Sequence, residues 1–238
     1  MDKRVFGDHE ADASISLCGS RISIVRVGGG CVYTRVCCRG SERSLDVPGC
    51  RVFIHPVQPL FYPERLTGYV MVKLPRPIVL PPGFRARLLV LVEYDVAVSV
   101  DGVHPVDVFT VGRGKYALYG PPSGGVLARY AEARIVGDSG EVGPAPWCGM
   151  LAEVTLHNES GSNVSVERIV YPAYGIPLYY RGEGLVYGPR LHVRVQSPFT
   201  ARVLARGWEV EGFSPSPLHA KTSLAGMGPL LFYMRYGL

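Results

Sequence analysis

Hydrophobic residues recur along this chain with a period of two. From Leu88 to Val100 every second position is apolar: Leu88, Val90, Val92, Tyr94, Val96, Val98 and Val100. Arg87, Glu93, Asp95 and Ser99 fall on the other face, beside Leu89, Leu91 and Ala97. Successive side chains of a strand point to opposite faces, so this pattern predicts one long half-buried strand, or two joined at a bend. Asp101-Gly102 follows, a strong hairpin signal. Residues 103–111 supply the returning strand, with Pro105 placing it at an edge or a bulge. A second hairpin is predicted where 21–27 and 31–38 flank Gly28-Gly29-Gly30.

Further strands are predicted at 68–73, 115–119, 151–157, 164–170, 191–195 and 201–205, with turn residues between them. Residues 126–136 carry Ala, Leu, Glu and Arg, which favour helix, yet the preceding Gly124-Gly125 and the neighbouring strands favour a strand. Many short strands, Gly/Pro turns and almost no helix point to an all-β protein, an antiparallel β-sandwich. Residues 138–148 read as a linker between two packed β domains, 1–137 and 149–238.

Composition removes several classes. Hydrophobic residues make up 47% of the 238 and charged ones 19%, which excludes global disorder. No apolar run approaches the roughly 18–20 residues of a membrane-spanning helix. The first residues lack the apolar stretch of a leader, so a cytoplasmic protein away from membranes is expected. The balance of 25 Lys+Arg against 20 Asp+Glu, formally +5, is too mild by itself to announce a nucleic-acid binder. Only four of those cations are Lys, and Asn and Gln are scarce. With 20 Pro, this suits a thermophilic source, although a GC-rich genome also enriches Arg.

Five of the six cysteines lie in the first 50 residues, and Cys148 stands apart. There is no C-x-x-C pair. A zinc site from Cys37, Cys38, Cys50 and His55 meets the objection that adjacent strand residues point to opposite faces. Buried thiols with one disulfide are the simpler expectation, and neither a metal nor a cofactor is called for. Gly120-Pro121-Pro122-Ser123-Gly124-Gly125 opens like a phosphate loop, but Val126 and Leu127 stand where Lys and Ser/Thr are needed, so it reads as a turn. There is no G-x-S-x-G elbow and no paired histidine motif.

One arrangement carries physical content. If 191–195 and 201–205 form a hairpin, Arg194 faces Arg202, His192 faces Leu204 and Arg190 faces Arg206, all on the outward face. Like charges directly opposite cost up to roughly 1 kcal/mol per pair unless neutralised. Glu153 or Glu167 on a neighbouring strand would neutralise them; otherwise the face is an anion site for phosphate, nucleic acid or an acidic protein partner. The apolar tail 229–238 reads as a final core strand, or one offered to another subunit.

Several segments resemble an archaeal family of uncharacterised β-rich proteins, known only as a domain of unknown function. They are Phe6-Gly7, Tyr33-Thr34-Arg35, Pro56 to Pro59, Val79-Leu80-Pro81-Pro82-Gly83, Lys115-Tyr116-Ala117-Leu118-Tyr119-Gly120 and Ala128-Arg129-Tyr130. The resemblance spans 6–136, with the rest of the chain more weakly similar, and implies an archaeal, cytoplasmic, β-rich protein without a transferable activity. Lys115, Tyr116, Tyr119 and Arg129 form a second candidate binding surface, with packing around a tight turn as the alternative. The expected function is therefore non-catalytic binding through these two surfaces. The rivals are an enzyme with a site assembled from Asp8, His9, Lys115 and Arg129, and a structural subunit of a larger assembly.

Overall fold

The computed structural model describes residues 4–37, 40–60, 66–136, 148–217 and 229–238, and among them there is no α-helix. The strands form four sheets. A meander of β2 (Ala13–Leu17), β3 (Ser20–Val27), β4 (Gly30–Val36) and β5 (Glu42–Val47) makes the first. Val27 faces Gly30 across its expected Gly-Gly-Gly turn. The second has β1 (Gly7–His9), β6 (Val52–Val57), β9 (Asp95–Ser99) and β10 (Pro105–Thr110) in that spatial order. Here β10 is the edge strand, and the register slips between Pro105 and Asp107, as a proline without an N–H requires.

The remaining two sheets pack face to face. One runs β11 (Lys115–Tyr119), β12 (Val126–Glu132), β7 (Tyr69–Leu80), β15 (Val164–Pro172). The largest runs β13 (Arg134–Val136), β8 (Arg85–Val92), β14 (Met150–Asn158), β17 (Val186–Val195), β16 (Tyr179–Tyr180), β19 (Ser214–Pro215). Also on β17 is β18 (Ala201–Gly207), which in turn carries β20 (Leu230–Met234). Val170 N–H of β15 donates to Met234 Sδ at 3.5 Å, and the Tyr69 and Phe232 rings lie 5.1 Å apart across this interface. Leu191, Val193, Val195, Val203 and Ala205 turn inward to it, each 1% exposed or less.

Most pairings are antiparallel, but β12–β7 and β14–β17 are parallel. Both arise between strands distant in sequence, so no turn signal announces them. Strands from either side of residues 138–148 share two sheets, through β8–β14 and β7–β15. One hydrophobic cluster runs from Val5 to Leu238.

The stretch 88–100 is two strands in different sheets, β8 and β9, and its burial departs from the half-buried expectation. In β9 both faces are covered: Asp95 and Ser99 are buried along with Val96 and Val98. Residues 126–136 are strand, divided between β12 and β13. The cysteines form two disulfides, Cys18–Cys148 and Cys31–Cys50, rather than one. Cys50 is therefore not available to the imagined zinc set, and Cys38 lies outside the described residues.

Candidate functional site

Because directly paired residues share a sheet face, the registers of the large sheet assemble its outer surface. One row across it is Arg85, His157, Arg194, Arg202, Tyr233; the next is Arg87, Thr155, His192, Leu204, Leu231. A third is Leu89, Glu153, Arg190, Arg206. The hairpin thus pairs Arg190 with Arg206 and Arg194 with Arg202, the register expected from sequence. Five strands at about 4.8 Å spacing make this surface about 20 Å wide.

Six arginines meet two carboxylates here. Glu153 is buried and binds Arg87 through Oε2 (2.8 Å to Nε) and Arg190 through Oε1 (3.3 Å). Glu159 accepts from Arg194 Nε at 2.6 Å and lies 3.2 Å from His157 Nδ1. Glu167, the other expected neutraliser, instead pairs with Lys73 at 2.7 Å in the opposing sheet. Among the described residues Arg85, Arg202 and Arg206 have no carboxylate partner. Burial and the nearby Arg206 and Arg190 guanidiniums lower the His192 pKa against the pull of Glu153, so its ring is neutral at pH 7. Exposed aromatics border the cations: Tyr233 beside Arg202, and Phe199, 69% exposed, at the hairpin loop.

The Lys115–Arg129 region is built differently. Tyr116 stands opposite Arg129, whose guanidinium lies 5.4 Å from its ring centre. Arg129 is 1% exposed; its Nη2 lies 3.4 Å from Asp95 Oδ1 and donates to Thr110 Oγ1 at 3.0 Å. Tyr119 is buried too, donating to Gly237 O at 2.9 Å and accepting from Tyr236 N–H at 3.0 Å, which fastens the C-terminal tail. Lys115 is exposed. Of the rival set, Asp8 is held by Arg51 Nη2 at 2.6 Å, and His9 Nε2 contacts Val5 O at 3.2 Å.

A cleft of about 770 Å³ opens where the first two sheets meet, walled by Cys18, Ser20, Arg35, Cys37, Ser41, Arg43 and the strand β10, among others. Asp107, almost fully buried, is the hub of its charges. It accepts from Arg35 Nε at 2.6 Å and from Tyr33 Oη at 2.8 Å, and Arg43 Nε approaches at 3.4 Å. Burial and the Asp107 carboxylate push the Tyr33 hydroxyl up, so it remains a donor. Arg35 also donates through Nη1 to Cys37 Sγ, as does Ser20 Oγ at 3.4 Å. Sequence reading passes over this site because Asp107 is remote in the chain. The available signal is Arg35 and Cys37, two apart at the end of a predicted strand and therefore on one face.

The fold and these surfaces define an all-β protein with a cationic sheet face and an arginine–thiol cleft. Over residues 5–229 the chain matches the family described as Protein of unknown function (DUF432), and it belongs to that family. The match covers 6–136 and also most of the remainder, where the resemblance is weaker. No curated protein and no solved structure matches it.

Proposed function

We propose that this protein binds single-stranded nucleic acid across the outer face of its large sheet. The observation that carries the reading is the charge imbalance of that face: six arginines share two carboxylates, and Arg85, Arg202 and Arg206 have no carboxylate partner among the described residues. Guanidinium suits phosphate through its fork of donors. The exposed ring of Tyr233 beside Arg202, with that of Phe199 at the hairpin loop, favours a single strand over an acidic protein, because unpaired bases stack on aromatics while phosphates meet arginine. The reading is that of a binding protein, without a reaction assigned to this face.

Fluorescence anisotropy with a labelled oligouridine or oligothymidine, titrated at several salt concentrations, tests it. Arg202→Glu and Arg206→Glu should each weaken binding about tenfold at low salt. Each should also flatten the slope of log affinity against log salt by about 0.7 for every phosphate no longer neutralised. Thermal unfolding of both variants should match the parent. No binding at low salt, or an unchanged slope in both variants, would sink the proposal.

A further inference from the structure

The arginine rows of the large sheet run into an apolar corner. Register carries Val136 of β13 through Leu89 and Glu153 to Arg190 and Arg206, so one row begins with aliphatics and ends with cations. The adjoining row holds Leu91, Leu151 and Tyr187. Trp208, directly after β18, packs with Leu91 and Leu151 in a cluster separate from the main core. Tyr187 meets the Trp208 ring edge to face, with centres 4.9 Å apart. Beside this cluster opens a second cleft of about 700 Å³, lined by Arg87, Leu89, Val136, Tyr187, Trp208 and Val210 among others. Glu209 and Glu211 also line it, are exposed, and form no ion pair among the described residues. Tyr179 Oη donates to Glu209 Oε1 at 3.2 Å.

We propose that this cleft is a base-recognition site for an unpaired guanine, with Trp208 and Tyr187 against the base and a carboxylate of Glu209 or Glu211 on its Watson–Crick edge. The proposal rests on the strand-binding reading of the cationic face, which the cleft adjoins through Arg87 and Leu89. A cleft of this size with aromatic and aliphatic walls and few polar groups suits a small planar ligand. The two carboxylates repel phosphate, so a bound strand keeps its backbone on the arginine rows and turns a base into this corner. An ionised carboxylate accepts hydrogen bonds and donates none. Guanine presents N1–H and its 2-amino group side by side, so it gives a carboxylate two parallel bonds. Adenine and cytosine each offer one amino group beside an acceptor nitrogen. Uracil and thymine set a single N–H between two carbonyls, which a carboxylate repels. Guanine is the base this rim fits.

The test uses the full chain carrying Trp147→Phe, which leaves Trp208 as its single tryptophan. GMP should quench the fluorescence saturably, and UMP at the same concentrations should not. By anisotropy, an oligothymidine with one central deoxyguanosine should bind at least about fivefold tighter than oligothymidine alone, a gain of the size a well-stacked base brings. Deoxyadenosine or deoxycytidine at that position should gain less. Glu209→Gln combined with Glu211→Gln, two exposed positions, should reduce the guanine gain to that of adenine. A guanine gain that persists in this variant would overturn the proposal. Oligothymidine binding to which guanine adds nothing refutes the cleft and leaves the cationic face standing. Quenching by GMP with no oligomer bound at low salt does the reverse: the base site holds and strand binding on the face falls. Anisotropy on the parent chain decides the matter should the Trp147 variant fail to fold.

Discussion

Glu153 lies directly opposite Arg190 across the parallel β14–β17 pair, and its carboxylate is divided between that guanidinium and Arg87 on the other side. A single buried carboxylate thus engages two arginines of the cationic face, and Arg190 also lies 4.9 Å from the Trp208 ring centre. Glu153→Gln should therefore act in two directions. Losing the charge-assisted hydrogen bonds from Arg87 and the ion pair with the partly covered Arg190 should cost about 1–2 kcal/mol of stability. Freeing two guanidiniums should raise affinity for single-stranded nucleic acid and steepen its salt dependence. Denaturant midpoints and anisotropy on the same preparation check both; a stability loss with weaker binding would contradict the proposed face.

How much of this is legible in the sequence follows from how each pairing is specified. The Arg190–Arg206 register can be read because strict alternation and a short loop leave one pairing that keeps Leu191, Val193 and Val195 inside. The extension of that face to Arg85, Arg87, His157 and Tyr233 cannot. It depends on β8, β14 and β20 becoming neighbours of the hairpin, and strand order between distant segments leaves no local trace. The burial of Asp95 is hidden for a related reason. A polar residue in an alternating strand reads as solvent-facing until another sheet covers it, and its partner Arg129 comes from β12. In the cleft, Arg35 and Cys37 are a local pair, but Asp107 joins them only because β10 returns beneath β4.

The Asp95–Arg129 pair decides whether Arg129 serves the fold or a ligand. Both side chains are at most 1% exposed. Arg129→Met leaves a buried carboxylate short of its cation and should cost about 3–5 kcal/mol. Because the two residues share one interaction, Arg129→Met with Asp95→Asn should be less destabilising than the sum of the single changes. Urea unfolding of the four proteins measures the coupling, and oligonucleotide binding of folded Arg129→Met should equal the parent. A stability change below about 0.5 kcal/mol together with abolished binding would instead make Arg129 a ligand group.

His55 should give the protein a measurable acid sensitivity. Its ring is buried against Tyr180, with Nδ1 2.9 Å from the phenol oxygen. Burial first, and then the nearby His9, lowers its pKa from 6.5 to about 4. Between those values the unfolded chain binds a proton that the folded chain refuses. Stability from this group is therefore full above the unfolded pKa, falls as pH drops through 6.5, and levels off below about 4. From pH 7.5 to pH 5 the loss attributable to His55 should be about 2 kcal/mol. His55→Gln does not titrate in this range, so its unfolding free energy should decline by that much less over the same interval. Chemical denaturation at the two pH values compares them directly; parallel declines would show that His55 takes up its proton equally in both states.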